Sequence, residues 1–170
     1  MPSAGKSSYL EAPASPITIA GRPGQVAGTL LLLHAFPLNA RMWEPQLDLA
    51  AGGWRVIAPH FRGFDGASIN PESTTMGDYV GNIVDLLDGL HVHDAVVGGL
   101  SMGGYAALGL FRRAPQYVRA LVLADTKAPG DTADAKQSRE QMIALARERG
   151  AAAVAEQMIP KLLGETTRRE

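Results

Sequence analysis

The sequence has 170 residues, 46% of them hydrophobic and 19% charged, which suits one domain with ample apolar material for a core and excludes general disorder. Sixteen basic residues against seventeen acidic ones leave a net charge of -1, so no strong field of either sign draws the chain to nucleic acid or to an anionic membrane. The absence of cysteine excludes disulfides, thiolate metal sites and a cysteine nucleophile.

Residues 1–28 are rich in Pro, Gly and Ser, with one short β-like run at Ile17–Ala20 and no long apolar segment of the kind that directs secretion. They predict an extended or loosely paired lead-in to a soluble, cytoplasmic protein. Gly28 opens TLLLLHAF, a continuous apolar run that reads as a strand buried on both faces. Asn39 is placed to cap a helix through about Ala51, with Met42, Trp43 and Leu47 on one side and Gly52–Gly53 ending it. Trp54–Ala58 is the next buried strand, stopped by Pro59, and the Gly- and Ser-rich segment His60–Thr75 reads as a loop. From about Met76 to Leu90, apolar residues recur at helical spacing.

A short strand, Ala95–Val97, then runs into GGLSMGG. Tyr105–Arg113 fits a helix ended by Pro115, and Ala120–Ala124 is a further apolar strand. Strands alternating with helices of this length predict an α/β fold with a mainly parallel sheet flanked by helices, over residues 29–130. From Asp131 to 170 the character is helical. One helix starts at Asp131–Thr132 and ends at Gly150, and a second apolar stripe is interrupted at Pro160.

Gly99-Leu100-Ser101-Met102-Gly103 is a G-x-S-x-G match between a strand and a helix, the context of a nucleophile elbow. Such a reversal lifts the serine hydroxyl above the sheet's carboxyl edge, needs small residues two positions either side, and aims a helix N-terminus at the same point. No G-x-x-x-x-G-K-[ST] or G-x-G-x-x-G occurs in the sequence to make this a phosphate loop. Holding an acyl oxyanion takes two backbone N–H donors. Met102 follows the serine directly, and Phe36, in His34-Ala35-Phe36-Pro37 at the end of the first buried strand, is placed to give the other.

The segments TLLLLHAFPLNARMW, WRVIAPHFRGFDGAS and VVGGLSMGGYAALGLFRRAPQYVRALVLADTKA resemble the α/β-hydrolase superfamily, most of all its esterases, cofactor-free perhydrolases and 3-oxoadipate enol-lactonase-like members. The resemblance runs from about Leu30 to Glu170. It implies Ser101 as nucleophile, Phe36 and Met102 as the oxyanion hole, no cofactor or metal, a small ester or lactone as substrate, and residues 131–170 as the start of a helical cap. Ala35 stands where the family usually has Gly, and His60 where its loop usually has Asp.

In that fold the triad runs Ser, then Asp or Glu, then His, yet His34, His60, His91 and His93 all precede Ser101. His34 reads as structural or pocket-lining. His91 and His93 precede a strand's amino end and lack a third ligand for a metal. His60 alone follows a strand's carboxyl end. Asp125, after ALVLA, is a candidate acid or a loop residue. By comparison with the family the chain reads as the front portion of a serine hydrolase whose histidine, and probable acid, lie outside it. The rival is a non-catalytic chain that binds a ligand or a completing partner. Either way, ALVLA is expected at a bare sheet edge that invites self-association or a completing polypeptide.

Overall fold

A computed structural model describes residues 8–19, 22–66 and 73–169. Residues 1–7, Ala20 and Gly21 of the expected lead-in, 67–72 of the expected loop and Glu170 lie outside the described residues.

The chain divides after Ala128 into two units. The first holds β1 (Tyr9–Ala12), β2 (Ile17–Ile19), β3 (Arg22–Gln25), β4 (Gly28–Leu33), β5 (Trp54–Pro59), α1 (Met76–Gly89), β6 (Ala95–Leu100), α2 (Met102–Arg113) and β7 (Val118–Ala124). A 3₁₀ segment, Ala40–Gly52, joins β4 to β5. The main sheet has the order β1-β5-β4-β6-β7, and β2 pairs with β3 separately. β5, β4, β6 and β7 run parallel, with Leu33 level with Gly99 and Leu100 level with Ala124. Among the described strands of this sheet β1 alone is antiparallel, placing Tyr9 opposite Pro59, and the separate β2–β3 pair is antiparallel as well. The fold is therefore α/β, a mainly parallel sheet flanked by helices.

The apolar run of β4 feeds both faces. Leu31 and Leu33 pack with Ile57, Val97, Leu87 of α1 and Leu110 of α2. Leu32 packs on the opposite face with Ala40 of the 3₁₀ segment and Val56, and Trp43 and Leu47 lean against them. This two-sided burial is why the strand shows no polar alternation. α1 starts at a capping box in which Thr75 and Asp78 satisfy each other's backbone N–H groups. Asn39 caps the 3₁₀ segment by accepting from Arg41 N–H at 3.0 Å, and Gly53, at φ 85°, ends it.

Three elements depart from the sequence-based expectation. The lead-in is ordered enough to supply β1, whose pairing with β5 is reinforced by Arg55 on Glu11 at 2.8 Å. The strand expected at Ala95–Val97 continues to Leu100, and α2 begins at Met102 rather than Tyr105. Glycine's low helix propensity argued for the later start, but Gly103 and Gly104 are needed at closely packed positions. β7 pairs only with β6 among the described residues and leaves Val122 54% and Leu123 45% exposed.

The second unit is α3 (Ala133–Leu162), capped by Thr132, which accepts from Ala135 N–H at 3.3 Å. Gly150, at φ 77° and ψ −177°, is not helical and breaks it into two helical stretches where the sequence predicts the break, while the second stretch carries Pro160 and ends two residues beyond it. No helix among the described residues is long and apolar enough to cross a membrane.

Candidate active site

β4 and β6 are neighbours whose outgoing connections part. β4 leads through the 3₁₀ segment to β5 on one side, and β6 leads through α2 to β7 on the other. A crevice opens outside the carboxyl ends of strands at such a reversal, and both sequence motifs lie there, His34–Pro37 after β4 and Ser101 after β6.

Ser101 is the single residue between β6 and α2, half-buried, with φ 51° and ψ −111°. A positive φ at a non-glycine residue costs about 1–3 kcal/mol and persists only where its surroundings over-determine it. Here Ser101 N–H donates to Ala124 O at 2.9 Å, while Ser101 O accepts from Thr126 Oγ1 at 2.8 Å and from Gly104 N–H at 2.9 Å. The glycines make room for the reversal. A Cβ on Gly99 would overlap the Gly103 carbonyl, one on Gly103 would overlap Leu33 O, and one on Gly104 would overlap the Thr126 hydroxyl. The first turn of α2 thus sits directly on the end of β4. Ser101 occupies the N-cap position yet makes no side-chain capping bond. A serine there ordinarily satisfies an orphan N–H, so this hydroxyl is left uncommitted at the positive end of a helix.

The loop after β4 has few N–H groups to offer. Ala35 N–H points to Met42 Sδ at 3.4 Å, and Pro37 has none. Phe36 N–H has no acceptor among the described residues. The Phe36 side chain is 37% exposed and meets Phe64 edge-on, with ring centroids 6.2 Å apart.

His34 is fully buried. Its Nδ1 lies 3.0 Å from Ala35 O, and its Nε2 accepts from Phe61 N–H at 3.0 Å. Phe61 and Phe64 flank its ring, at centroid distances of 4.5 and 5.1 Å. Burial pushes the imidazole down to about 4, against a partial offset from the Ala35 carbonyl. Both nitrogens are engaged, so His34 is structural and lines the loop. His60 turns its Nδ1 toward Ala40 N–H at 3.4 Å. His91 and His93 are exposed beside the amino end of β6, remote from Ser101, and no group of three potential metal ligands occurs among the described residues. Asp125 is exposed, at φ 42°, between Ala124 and Thr126, both of which bond the Ser101 backbone.

Sequence reasoning missed two contributors. Thr126 steadies the Ser101 carbonyl, and its only signal was its position just past the strand beside the elbow. Met42 read as a core-facing residue, and nothing in the sequence marked its sulfur as the acceptor for Ala35 N–H.

The family model for the alpha/beta hydrolase fold matches residues 28–158. The chain is 30% identical over 128 residues to 3-oxoadipate enol-lactonase 2 of Acinetobacter baylyi, covering 75% of this chain and 46% of that protein. It is 40% identical over 98 residues to epoxide hydrolase 2 of Siraitia grosvenorii, covering 55% of this chain and 30% of that one. Among solved structures, a thermophilic esterase from Thermogutta terrifontis superposes with a TM-score of 0.82 at 32% identity, covering 96% of this chain and 56% of the esterase. The chain therefore spans less than half the length of the two curated relatives and little more than half of the esterase. With its reversal at Ser101, its parallel sheet and a family match over most of its length, this chain belongs to the α/β-hydrolase fold family.

Proposed function

We propose that the chain carries the nucleophile and oxyanion side of a serine hydrolase acting on a small carboxylic ester or lactone. The observation that carries the reading is the strained Ser101, its hydroxyl unused as a cap, at a sheet reversal where the neighbouring strand ends in the loop of Phe36, whose N–H has no partner among the described residues; the reading takes that N–H and the one of Met102, next in the chain, as the oxyanion donors. In the reaction the Ser101 Oγ adds to the acyl carbonyl and its proton passes to a base. The carbonyl oxygen takes the negative charge and is held by the two N–H groups. Collapse breaks the acyl C–O bond and expels the alcohol, which in a lactone stays tethered to the acyl group. Water then releases the acid from the serine ester.

Serine itself favours an acyl substrate over an epoxide. A hydroxyl that opened an epoxide would be trapped as an ether, which water has no carbonyl to attack, whereas a serine ester is hydrolysable. Perhydrolysis of a carboxylic acid by peroxide is a variant on the same groups. No cofactor or metal enters, and we take the protein to act in the cytoplasm.

The four histidines do not supply the base: His34 has both nitrogens engaged, His60 bonds Ala40, and His91 and His93 lie at the opposite sheet edge. The reading therefore assigns base and acid to a part of the protein beyond this sequence, with Asp125 retained as a candidate acid. The second reading, a non-catalytic chain that binds a ligand or a completing partner, is favoured by the same lack and by the exposed edge of β7. A fluorophosphonate probe, applied to the protein together with its base-bearing part, separates the two. Rapid labelling and p-nitrophenyl acetate turnover, both lost in Ser101→Ala, support the serine hydrolase. A folded protein of that extent that is neither labelled nor active supports the non-catalytic reading.

A further inference from the structure

The peptide that joins Ala35 to Phe36 has two ends, and in a trans peptide they point in opposite directions. Its carbonyl end is the Ala35 O held by the buried His34 ring, at 3.0 Å from Nδ1. Its amide end is the Phe36 N–H, which has no partner among the described residues. We infer that His34 is a positioning residue: by donating its Nδ1–H to Ala35 O it fixes the plane of this peptide and aims and polarises the Phe36 N–H.

Two observations set the tautomer. Phe61 N–H is a donor, so the Nε2 it approaches at 3.0 Å must be the bare nitrogen, which leaves the ring proton on Nδ1. Burial keeps the ring from taking a second proton, because its pKa lies near 4. A hydrogen bond received at one end of an amide strengthens donation at the other. The ring is itself wedged between Phe61 and Phe64, and Phe64 also meets the Phe36 ring. The neighbouring amide is anchored independently, through Ala35 N–H on Met42 Sδ. The aiming therefore does not depend on substrate.

This inference rests on the proposed role of Phe36, and two substitutions divide what His34 does. His34→Asn keeps an N–H donor where Nδ1 lies and loses the acceptor for Phe61. His34→Gln carries an acceptor out to Phe61 and loses the donor to Ala35. Both are compared with the unaltered chain by the Ala35 carbonyl and Phe36 amide chemical shifts, and by the rate of Ser101 phosphonylation with the fluorophosphonate probe. Thermal melts check folding. The expected result is that His34→Gln moves both resonances and slows labelling on the order of tenfold or more, since one oxyanion donor is worth roughly a hundredfold or more. His34→Asn leaves both resonances near their original positions and labelling within about threefold.

A folded His34→Gln with unmoved resonances overturns the inference, as does a folded His34→Asn that shifts and slows as much as His34→Gln. If His34→Gln fails to fold, His34→Asn decides alone, retained shifts supporting and displaced shifts refuting. If the unaltered protein takes no label even with its base-bearing part present, the nucleophile reading fails, and the two resonances still decide the positioning claim.

Discussion

Lowering the pH tests the buried imidazole as a structural element. His34 moves from an ordinary value of 6.5 to about 4 on folding, chiefly because burial disfavours the charged form. The sign follows from linkage. Between these values the unfolded chain binds a proton that the folded chain refuses, so stability present above pH 6.5 is lost as pH falls toward 4. At roughly 1.4 kcal/mol for each pH unit separating the two values, the full loss is about 3 kcal/mol. Relative to pH 7, linkage gives ~1 kcal/mol lost at pH 5.5 and ~2 kcal/mol at pH 4.5. Urea unfolding followed by circular dichroism at these three pH values, on the unaltered chain and on His34→Asn, isolates the contribution. The variant lacks the titrating ring, and carboxylate effects cancel in the difference. The stability gap between the two proteins is expected to close by ~2 kcal/mol from pH 7 to 4.5. Parallel curves would refute the assignment of His34 as a neutral, buried acceptor for Phe61.

Three further outcomes follow from the packing. Gly103→Ala places a methyl group against the Leu33 carbonyl and is expected to cost about 1–3 kcal/mol or more, read by thermal melting, with labelling of Ser101 lost. Thr126→Val removes the hydroxyl that bonds Ser101 O at 2.8 Å and is expected to cost about 1 kcal/mol; a melting temperature equal to that of the unaltered chain would show the bond to be inert. Val122→Lys, on the exposed edge of β7, is expected to lower concentration-dependent association in sedimentation velocity. An unchanged profile would show that this edge takes no part in association.

Much of the scaffold was legible because its signals are local and unopposed. The run Leu30–Leu33 carries no polar residue, so it had to be buried on both faces, and Leu31 and Leu32 do face different cores. Asn39 and Gly53 announce the ends of a helical segment, one by accepting at its side-chain amide oxygen and the other by a positive φ. The 3₁₀ winding between them was not legible, since such winding seldom runs beyond three or four residues and its caps are the same as those of an α-helix. β1 escaped notice because Tyr9–Ala12 is four residues long and gains its strand state from the backbone of β5, a partner more than forty residues away. The glycines around Ser101 were read correctly as space, but which carbonyl each one accommodates is a tertiary fact. Gly103 meets β4, some seventy residues earlier, and Gly104 meets Thr126, some twenty later. The free Phe36 N–H was legible as a position. Its isolation emerges only when Met42 is seen to claim the neighbouring amide.

At Gly103 a helix and a strand end meet main chain to main chain, with the Leu33 and His34 carbonyls filling the space a Cβ would take. Side chains between two elements absorb small slips by changing rotamer; a peptide resting on a carbonyl has no such slack. Any tilt of α2 therefore drags the end of β4 with it, and the serine and the aromatic loop travel as one piece although about sixty-five residues of chain separate them. Heat or denaturant will not loosen this corner gradually ahead of the rest. Its geometry persists until the sheet itself gives way, and reactivity at the serine and far-ultraviolet ellipticity then disappear at a common midpoint.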